Sequence, residues 1–357
     1  MGMTWDLDFY KGKTVLVTGH TGFKGTWMCH VLLQLGSKVI GYGLAPQNDA
    51  IAFALSGVES KITSIIGDIR DFAKLKKVFE EEKPEIVIHM AAQPLVRKSY
   101  ELPMYTYDVN VMGTVNVLEC VRLSDSVKSF VNVTTDKVYL NREWEWGYRE
   151  NEELNGYDPY SNSKSCSELV TSSYRNSFFS DGRVAISTVR AGNVIGGGDF
   201  SQDRIIPDCV RAASEGKAIF VRNQYSVRPY QHVLEPIFVY LKIAQEQYKN
   251  SSLAGSYNVG PDEASCIKTK ELVSLFCEKW EKITGNPATW EAIDSAGPHE
   301  ANFLRLDCTR LKNTFEWKPI WDIETAVEKT IEWYKVELEG GCVSKHMTRQ
   351  INEFLNI

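Results

Sequence analysis

Hydrophobic residues in the first half of the chain fall in short, nearly unbroken runs that alternate with longer stretches of helical period. Thr14 to Thr18 (TVLVT) reads as a strand covered on both faces. Lys38 to Tyr42, Ser64 to Gly67, Glu85 to His89, Ser129 to Val133 and Val184 to Val189 continue the series. Helical patterns lie between them at about Lys24 to Leu35, Phe72 to Glu81, Thr106 to Leu123 and Tyr160 to Phe178, and Gly36 suits the C-terminal cap of the first. Strands this apolar, each followed by a helix, predict an α/β fold: a Rossmann-type, doubly wound parallel sheet with helices on both faces. After Asn193 the rhythm changes. Residues 195 to 204 are rich in Gly and Asp and read as a loop. Mixed short elements follow, with helices near Val233 to Gln247, Lys270 to Ile283 and Glu324 to Leu338. The expected organisation is a nucleotide-binding unit at 11–193, a smaller C-terminal α/β substrate-binding lobe at 194–340 partly interleaved with it, and a tail at 341–357. A cleft is expected between the two lobes.

Composition narrows the classes. With 357 residues, 43% hydrophobic and 24% charged, the chain can bury a full core without disulfides or a structural metal. A net charge of −6 removes any global attraction to nucleic acid or to anionic lipid. No stretch approaches the roughly 20 apolar residues that span a bilayer. Met1 to Lys13 lacks the layout of a secretory signal. Cys29, Cys120, Cys166, Cys209, Cys266, Cys277, Cys308 and Cys342 are scattered without metal-type spacing and are expected as reduced thiols of a cytoplasmic protein. The histidines have no ligand-spaced partners, so no metal site is expected.

Chemistry concentrates at strand ends. The first strand runs into Gly19-His20-Thr21-Gly22-Phe23-Lys24-Gly25. Glycines allow a tight strand-to-helix turn and close backbone approach, and the helix N-terminus offers free N–H groups to a pyrophosphate. Asp68-Ile69 closes the third strand and offers a carboxylate to an adenine amino group, or a helix cap. The second strand ends Gly41-Tyr42-Gly43-Leu44-Ala45, with no acid for ribose hydroxyls and no arginine for a 2′-phosphate. NAD is the expected dinucleotide, with one anchor missing. Tyr160 and Lys164 stand four apart and share a helix face, where an ammonium favours phenolate and makes the tyrosine a general base. Thr135-Asp136-Lys137 follows the fifth strand, where open α/β sheets hold ligands.

These segments, with His89-Met90-Ala91-Ala92-Gln93, Asn110, Gly113-Thr114 and Arg190-Ala191-Gly192-Asn193-Val194, resemble the extended short-chain dehydrogenase/reductase family from about Lys11 to Leu338. Among its sugar-nucleotide 4,6-dehydratases, Thr135-Asp136-Lys137 resembles the CDP-linked subgroup, where others carry an acid pair. The resemblance implies NAD-dependent, redox-neutral dehydration of CDP-D-glucose to CDP-4-dehydro-6-deoxy-D-glucose, in deoxysugar synthesis for bacterial surface polysaccharide. It implies cofactor contacts at Gly19, Thr21, Gly22, Phe23, Gly25, Asp68, Ile69, Ala91, Ala92, Tyr160 and Lys164. Tyr160 would take the 4-hydroxyl proton, Thr135 would bond the 4-oxygen, and Asp136 would protonate the leaving 6-hydroxyl. Lys137 would take the C5 proton or stabilise an enolate. Gln93, Asn193, Arg204, Ile206, Arg228 and Arg305 would meet the substrate, with Gly297 to Glu300 near the nucleotide. A homodimer or tetramer, paired through Thr106–Leu123 and Tyr160–Phe178, is also implied. Another 4,6-dehydratase, a 4-epimerase on the same scaffold, and a catalytically silent NAD sensor remain the alternatives. Trp144, Trp146 and Tyr148 either cover the cleft or pack at the lobe interface.

Overall fold

The computed structural model describes residues 6–46, 51–293 and 304–356. Seven strands form one sheet: β1 (Thr14–Thr18), β2 (Lys38–Gly43), β3 (Thr63–Ile66), β4 (Ile86–His89), β5 (Ser129–Val133), β6 (Ala185–Ala191) and β7 (Ser256–Val259). Their order is β7-β6-β5-β4-β1-β2-β3, and every pairing is parallel. The order reverses beside β1, which opens a crevice at the carboxyl ends of β1 and β4.

Strand alternation sends side chains to two cores. Val15 and Val17 pack on one face with Trp27, Met28 and Val31 of α1 (Phe23–Gln34). Leu16, Ile40 and Val87 pack on the other with Phe79 of α2 (Phe72–Glu82) and with Val117 and Leu118 of α3 (Gly113–Leu123). Gly36, at φ 78°, ends α1 in the left-handed conformation that glycine adopts freely. The long helix α4 (Pro159–Phe178) starts on Asp158, whose carboxylate accepts from Ser161 N–H. Helix α5 (Leu234–Lys249) joins the Val15/Val17 core.

Three findings differ from the sequence reading. The helix expected over Thr106–Leu123 is interrupted by a wider turn at Asp108–Met112, closed by Gly113 N–H to Asp108 O. That turn brings the buried Asn110 amide onto Ser163 Oγ of α4 at 2.9 Å. Strand β7, from the second half of the chain, completes the first sheet, so the lobes interleave more deeply than a boundary at 193 conveys. The expected tail at 341–357 contains helix α6 (Val343–Leu355). Its Val343, Met347, Ile351 and Phe354 are buried in the larger core.

Short strand pairs build the second lobe: Val194–Ile195 with Gln231–His232, Val227–Pro229 with Cys266–Lys268, and Ile219–Val221 with Trp290–Ala292. Trp144 and Tyr148 stack with Tyr139 on Leu304 and Leu306, which is lobe-interface packing, while Trp146 faces solvent. Every cysteine is free. Among the described residues no helix is long and apolar enough to cross a membrane, and no cluster has the make-up of a metal site.

Candidate active site

The turn after β1 is held by contacts that leave no room for side chains. Gly19 lies at φ 76°, and a Cβ there would come within 2.9 Å of the Ala91 backbone. At Gly25 a Cβ would lie 2.1 Å from Gly19 O. The His20 ring packs over Gly41, where a Cβ would sit 2.3 Å from it. That ring therefore explains the glycine at position 41 within β2. Gly22 is different. It caps α1 without any side-chain hydrogen bond, and a Cβ there meets only Gly19 O, at 3.5 Å. The N-terminus of α1 is thus left without a side-chain cap and with open space beside Gly22, which suits a pyrophosphate. Thr18 Oγ accepts from Met90 N–H (3.0 Å) and Ala91 N–H (3.1 Å), binding the β4 end to this turn. Asp68 is occupied: Arg70 meets its carboxylate through Nη2 at 2.7 Å, and Tyr42 Oη donates to its carbonyl at 2.9 Å.

Tyr160 and Lys164 occupy the first turns of α4, as their spacing predicts. Lys164 is buried, 4% exposed, and its Nζ donates to Val133 O of β5 at 3.1 Å. Burial and then the charge of Lys24 draw Lys164 down to about 7, with Glu168 opposing. Burial pushes the Tyr160 phenol up to about 12, while a hydrogen bond with Thr135 and the charge of Arg204 pull the other way. The ammonium of Lys164 is thus drawn to the β5 carbonyl, and Arg204 is the cation whose field acts on the phenol. Lys24, which sequence reasoning passed over inside the glycine turn, lies in this chamber. Burial, reinforced by Arg204, lowers it to about 8, with Asp136 opposing.

Asp136 is fully buried, 0% exposed. Thr135 Oγ and Lys137 Nζ both donate to its Oδ1 at 3.0 Å. Its Oδ2 is buried without a hydrogen-bond partner. Gly192 walls the space before Oδ2, since a Cβ there would lie 3.4 Å from that oxygen. Lys137 Nζ also reaches Asn193 Oδ1 at 3.4 Å. Thr135, Asp136, Lys137 and Asn193 therefore meet at one spot, next to Tyr160 through Thr135. A buried oxygen with no donor is costly unless it carries a proton or meets a ligand group.

Glu168 supports this arrangement from one helical turn below Lys164. Its Oε1 accepts from Thr134 Oγ at 2.5 Å, and its Oε2 accepts from Thr188 Oγ at 2.7 Å and from Arg190 Nη2 at 2.8 Å. Burial pushes Glu168 up, but Arg190 and the two hydroxyls outweigh it, and the carboxyl ends below its ordinary range. The pair locks α4 to β5 and β6. Its signal in the sequence was an acid four positions after Lys164, on the helix face that carries Tyr160 and Lys164.

The expected substrate residues divide. Asn193 faces Lys137, and Arg204 lines the chamber with its guanidinium 3.0 Å from the buried Asp199 carboxylate. Arg228 is buried beside Tyr230 on the strand that pairs with Cys266–Lys268. Gln93 Nε2 donates to Leu95 O (3.1 Å) and Thr106 Oγ (2.9 Å), and its Oε1 accepts from Leu95 N–H (2.7 Å), so it shapes the loop after β4. Ile206 is 1% exposed inside the apolar core, which leaves only its backbone for a ligand. Arg305 pairs with Glu263 at 2.5 Å in a shallow hollow with Cys266 and Lys312. Gly297 to Glu300 lie outside the described residues.

Sheet order, glycine turn and the Tyr160/Lys164 helix define a Rossmann-type α/β protein of the short-chain dehydrogenase/reductase kind. The profile described as GDP-mannose 4,6 dehydratase matches residues 16–330, and the chain belongs to that family. It is 44% identical over 357 residues to the CDP-glucose 4,6-dehydratase of Salmonella typhimurium, with 98% of each chain covered. It is 27% identical to the dTDP-D-glucose 4,6-dehydratase of Homo sapiens, over 93% of this chain and 92% of that one. Among solved structures, dTDP-glucose 4,6-dehydratase from Bacillus anthracis, in complex with NAD, superposes with a TM-score of 0.75 at 22% identity, covering 92% of this chain and 99% of that one. UDP-glucose 4-epimerase from Thermotoga maritima, with UDP-glucose, gives 0.77 at 19% identity, covering 91% and 99%.

Proposed function

We propose that the protein converts CDP-D-glucose to CDP-4-dehydro-6-deoxy-D-glucose by NAD-dependent dehydration with no net redox change. The observation that carries this reading is the Asp136 carboxylate, with Oδ1 held by Lys137 and Thr135 and Oδ2 buried and unpartnered beside Tyr160. Epimerisation at C4 needs a base at that carbon and no acid to expel an oxygen. Loss of the 6-hydroxyl needs one. A 44% identical relative that bears the CDP-glucose name supports the choice of nucleotide.

In this reading Gly19, Thr21, Gly22, Phe23 and Gly25 hold the dinucleotide pyrophosphate, with Ala91, Ala92 and Ile69 along its length. NAD, when bound there, would supply reversible hydride-accepting chemistry beside the sugar. Tyr160 takes the 4-hydroxyl proton, while Thr135 bonds the 4-oxygen. Lys164 is fixed by the Val133 carbonyl, and Thr135 and Arg204 oppose the rise that burial causes in the phenol. The new ketone acidifies C5. Lys137 removes that proton and Asp136 protonates the departing 6-oxygen. Arg204, Arg228 and Asn193 suit the diphosphate, because a guanidinium fork donates two bonds to one phosphate, and Arg305 suits the nucleotide end. Met104, Met112, Leu123, Leu169 and Phe178 are exposed on and beside α3 and α4 and suit pairing with a second copy, in a cytoplasmic dimer or dimer of dimers.

The test is incubation of the NAD-supplied protein with CDP-, dTDP-, UDP- and GDP-hexoses in deuterated water, followed by mass spectrometry. Loss of water from CDP-D-glucose, deuterium at C5 and no net reduced nicotinamide are expected. Water loss from another nucleotide alone moves the substrate assignment. C4 inversion without water loss overturns the dehydratase reading.

A further inference from the structure

A charge bridge lies directly beside Arg204. Asp203 sits one residue before Arg204, whose guanidinium field reaches Tyr160 and Lys24. Its carboxylate oxygen Oδ1 meets Arg97 Nη1 at 3.5 Å and Arg222 Nη2 at 2.9 Å. Arg97 belongs to the short helix Val96–Glu101 that follows β4 in the first lobe, and Arg222 follows the strand Ile219–Val221 in the second. One oxygen is thus shared by guanidinium groups from the first and second lobes. Asp203 holds φ 59°, a left-handed conformation uncommon outside glycine. The segment behind it is fixed: Asp199 is buried, takes Arg204 at 3.0 Å, and offers its carbonyl to Tyr334 Oη.

We propose that Arg97, Asp203 and Arg222 form a latch that retains the sugar nucleotide between the first and last hydride transfers. This rests on the dehydration proposed above. That reaction passes through a 4-ketone that has given up two electrons. If the ketone leaves early, those two electrons stay on the cofactor, no acceptor is present to remove them, and each escape disables one site. Retention through all the steps is therefore a chemical requirement of the sequence. Two arginines on one acid leave a net positive charge beside Arg204, which attracts a nucleotide diphosphate. All three partners are partly solvated, so the bridge is weak and opens readily between turnovers. Arg97, Asp203 and Arg222 are positioning residues in this scheme, acting on residence rather than on bonds.

Arg97→Gln and Asp203→Asn are compared with the wild type in two measurements. In turnover of CDP-D-glucose by NAD-supplied protein, the wild type is expected to release only the dehydrated product. Both variants are expected to release CDP-4-dehydro-D-glucose with one equivalent of reduced nicotinamide left behind per ketone lost. In displacement from cofactor-free protein, the residence time of CDP-D-glucose is expected to shorten roughly fivefold in both variants, the reach of an exposed ion pair. Arg97→Lys, which keeps the charge, is expected to restore most of both. Identical partitioning and residence in the variants and the wild type overturn the latch. Should the wild type lose no water from CDP-D-glucose, the proposed activity fails, and the residence measurement alone decides the latch.

Discussion

At the residue scale, the proposed dehydration would use Lys137 and Asp136, 3.0 Å apart, as one unit with one proton between them. With the proton on the amine they are an ion pair; with it on the carboxyl they are a free base beside a free acid, at the same net charge. The second arrangement matches elimination: the amine takes a proton from C5 while the acid gives one to the 6-oxygen, and the pair returns to its charged form as water leaves. Lys137 Nζ lies 3.0 Å from Asp136 Oδ1, a direct path for the exchange. Lys137→Met is expected to leave C4 oxidation observable and to cut solvent deuterium incorporation at C5 by about 10²- to 10⁴-fold, the usual contribution of a general base. Mass spectrometry in deuterated water measures it. Undiminished exchange assigns the C5 proton to another group.

At the scale of elements, the glycines around α1 separate two roles. At Gly25 a Cβ would sit 2.1 Å from a backbone oxygen, whereas at Gly22 it would make an ordinary 3.5 Å contact. Gly25→Ala is expected to destabilise the fold by roughly 1–3 kcal/mol, as overpacking does, and to lose NAD binding with it. Gly22→Ala is expected to keep the wild-type melting temperature while weakening NAD binding about tenfold, because its methyl enters that open space alone. Melting curves without nucleotide, paired with calorimetric NAD titration, distinguish the two. Equal NAD affinity in Gly22→Ala and wild type argues against a pyrophosphate at this helix end. The strands, the glycine turn and the Tyr160/Lys164 pair were legible in the sequence because each is set by residues a few positions apart. The Glu168–Arg190 pair and the Arg97–Asp203–Arg222 bridge were not, since they join distant segments that only the fold brings together. Helix α6 carried a readable period, Val343, His346, Met347, Gln350, Ile351 and Phe354, diluted by its two polar members.

At the scale of the whole molecule, one buried acid ties folding stability to pH. Glu235, at the start of α5, is 1% exposed. Its Oε1 accepts from Ile320 N–H (2.8 Å) and Trp321 N–H (2.6 Å), joining α5 to the segment that leads into the C-terminal helices. Its Oε2 is buried without a hydrogen-bond partner. Burial pushes Glu235 up to about 7, opposed by the two N–H groups and aided by Asp262. The neighbouring His232 is lowered by burial to about 3 and stays neutral throughout. A raised carboxyl favours the folded state while it holds its proton. The contribution is complete below the unfolded value of about 4.3, and it declines by about 1.4 kcal/mol per pH unit until the folded group ionises near 7. Glu235→Gln keeps the oxygen that receives Ile320 and Trp321 and removes the titration. Its melting temperature relative to wild type is therefore expected to rise between about pH 4 and pH 7 and to level off above that, even if the two proteins differ by a constant offset. Differential scanning calorimetry at fixed ionic strength measures this, and a difference independent of pH would mean that Glu235 ionises in the folded protein as readily as in the unfolded chain.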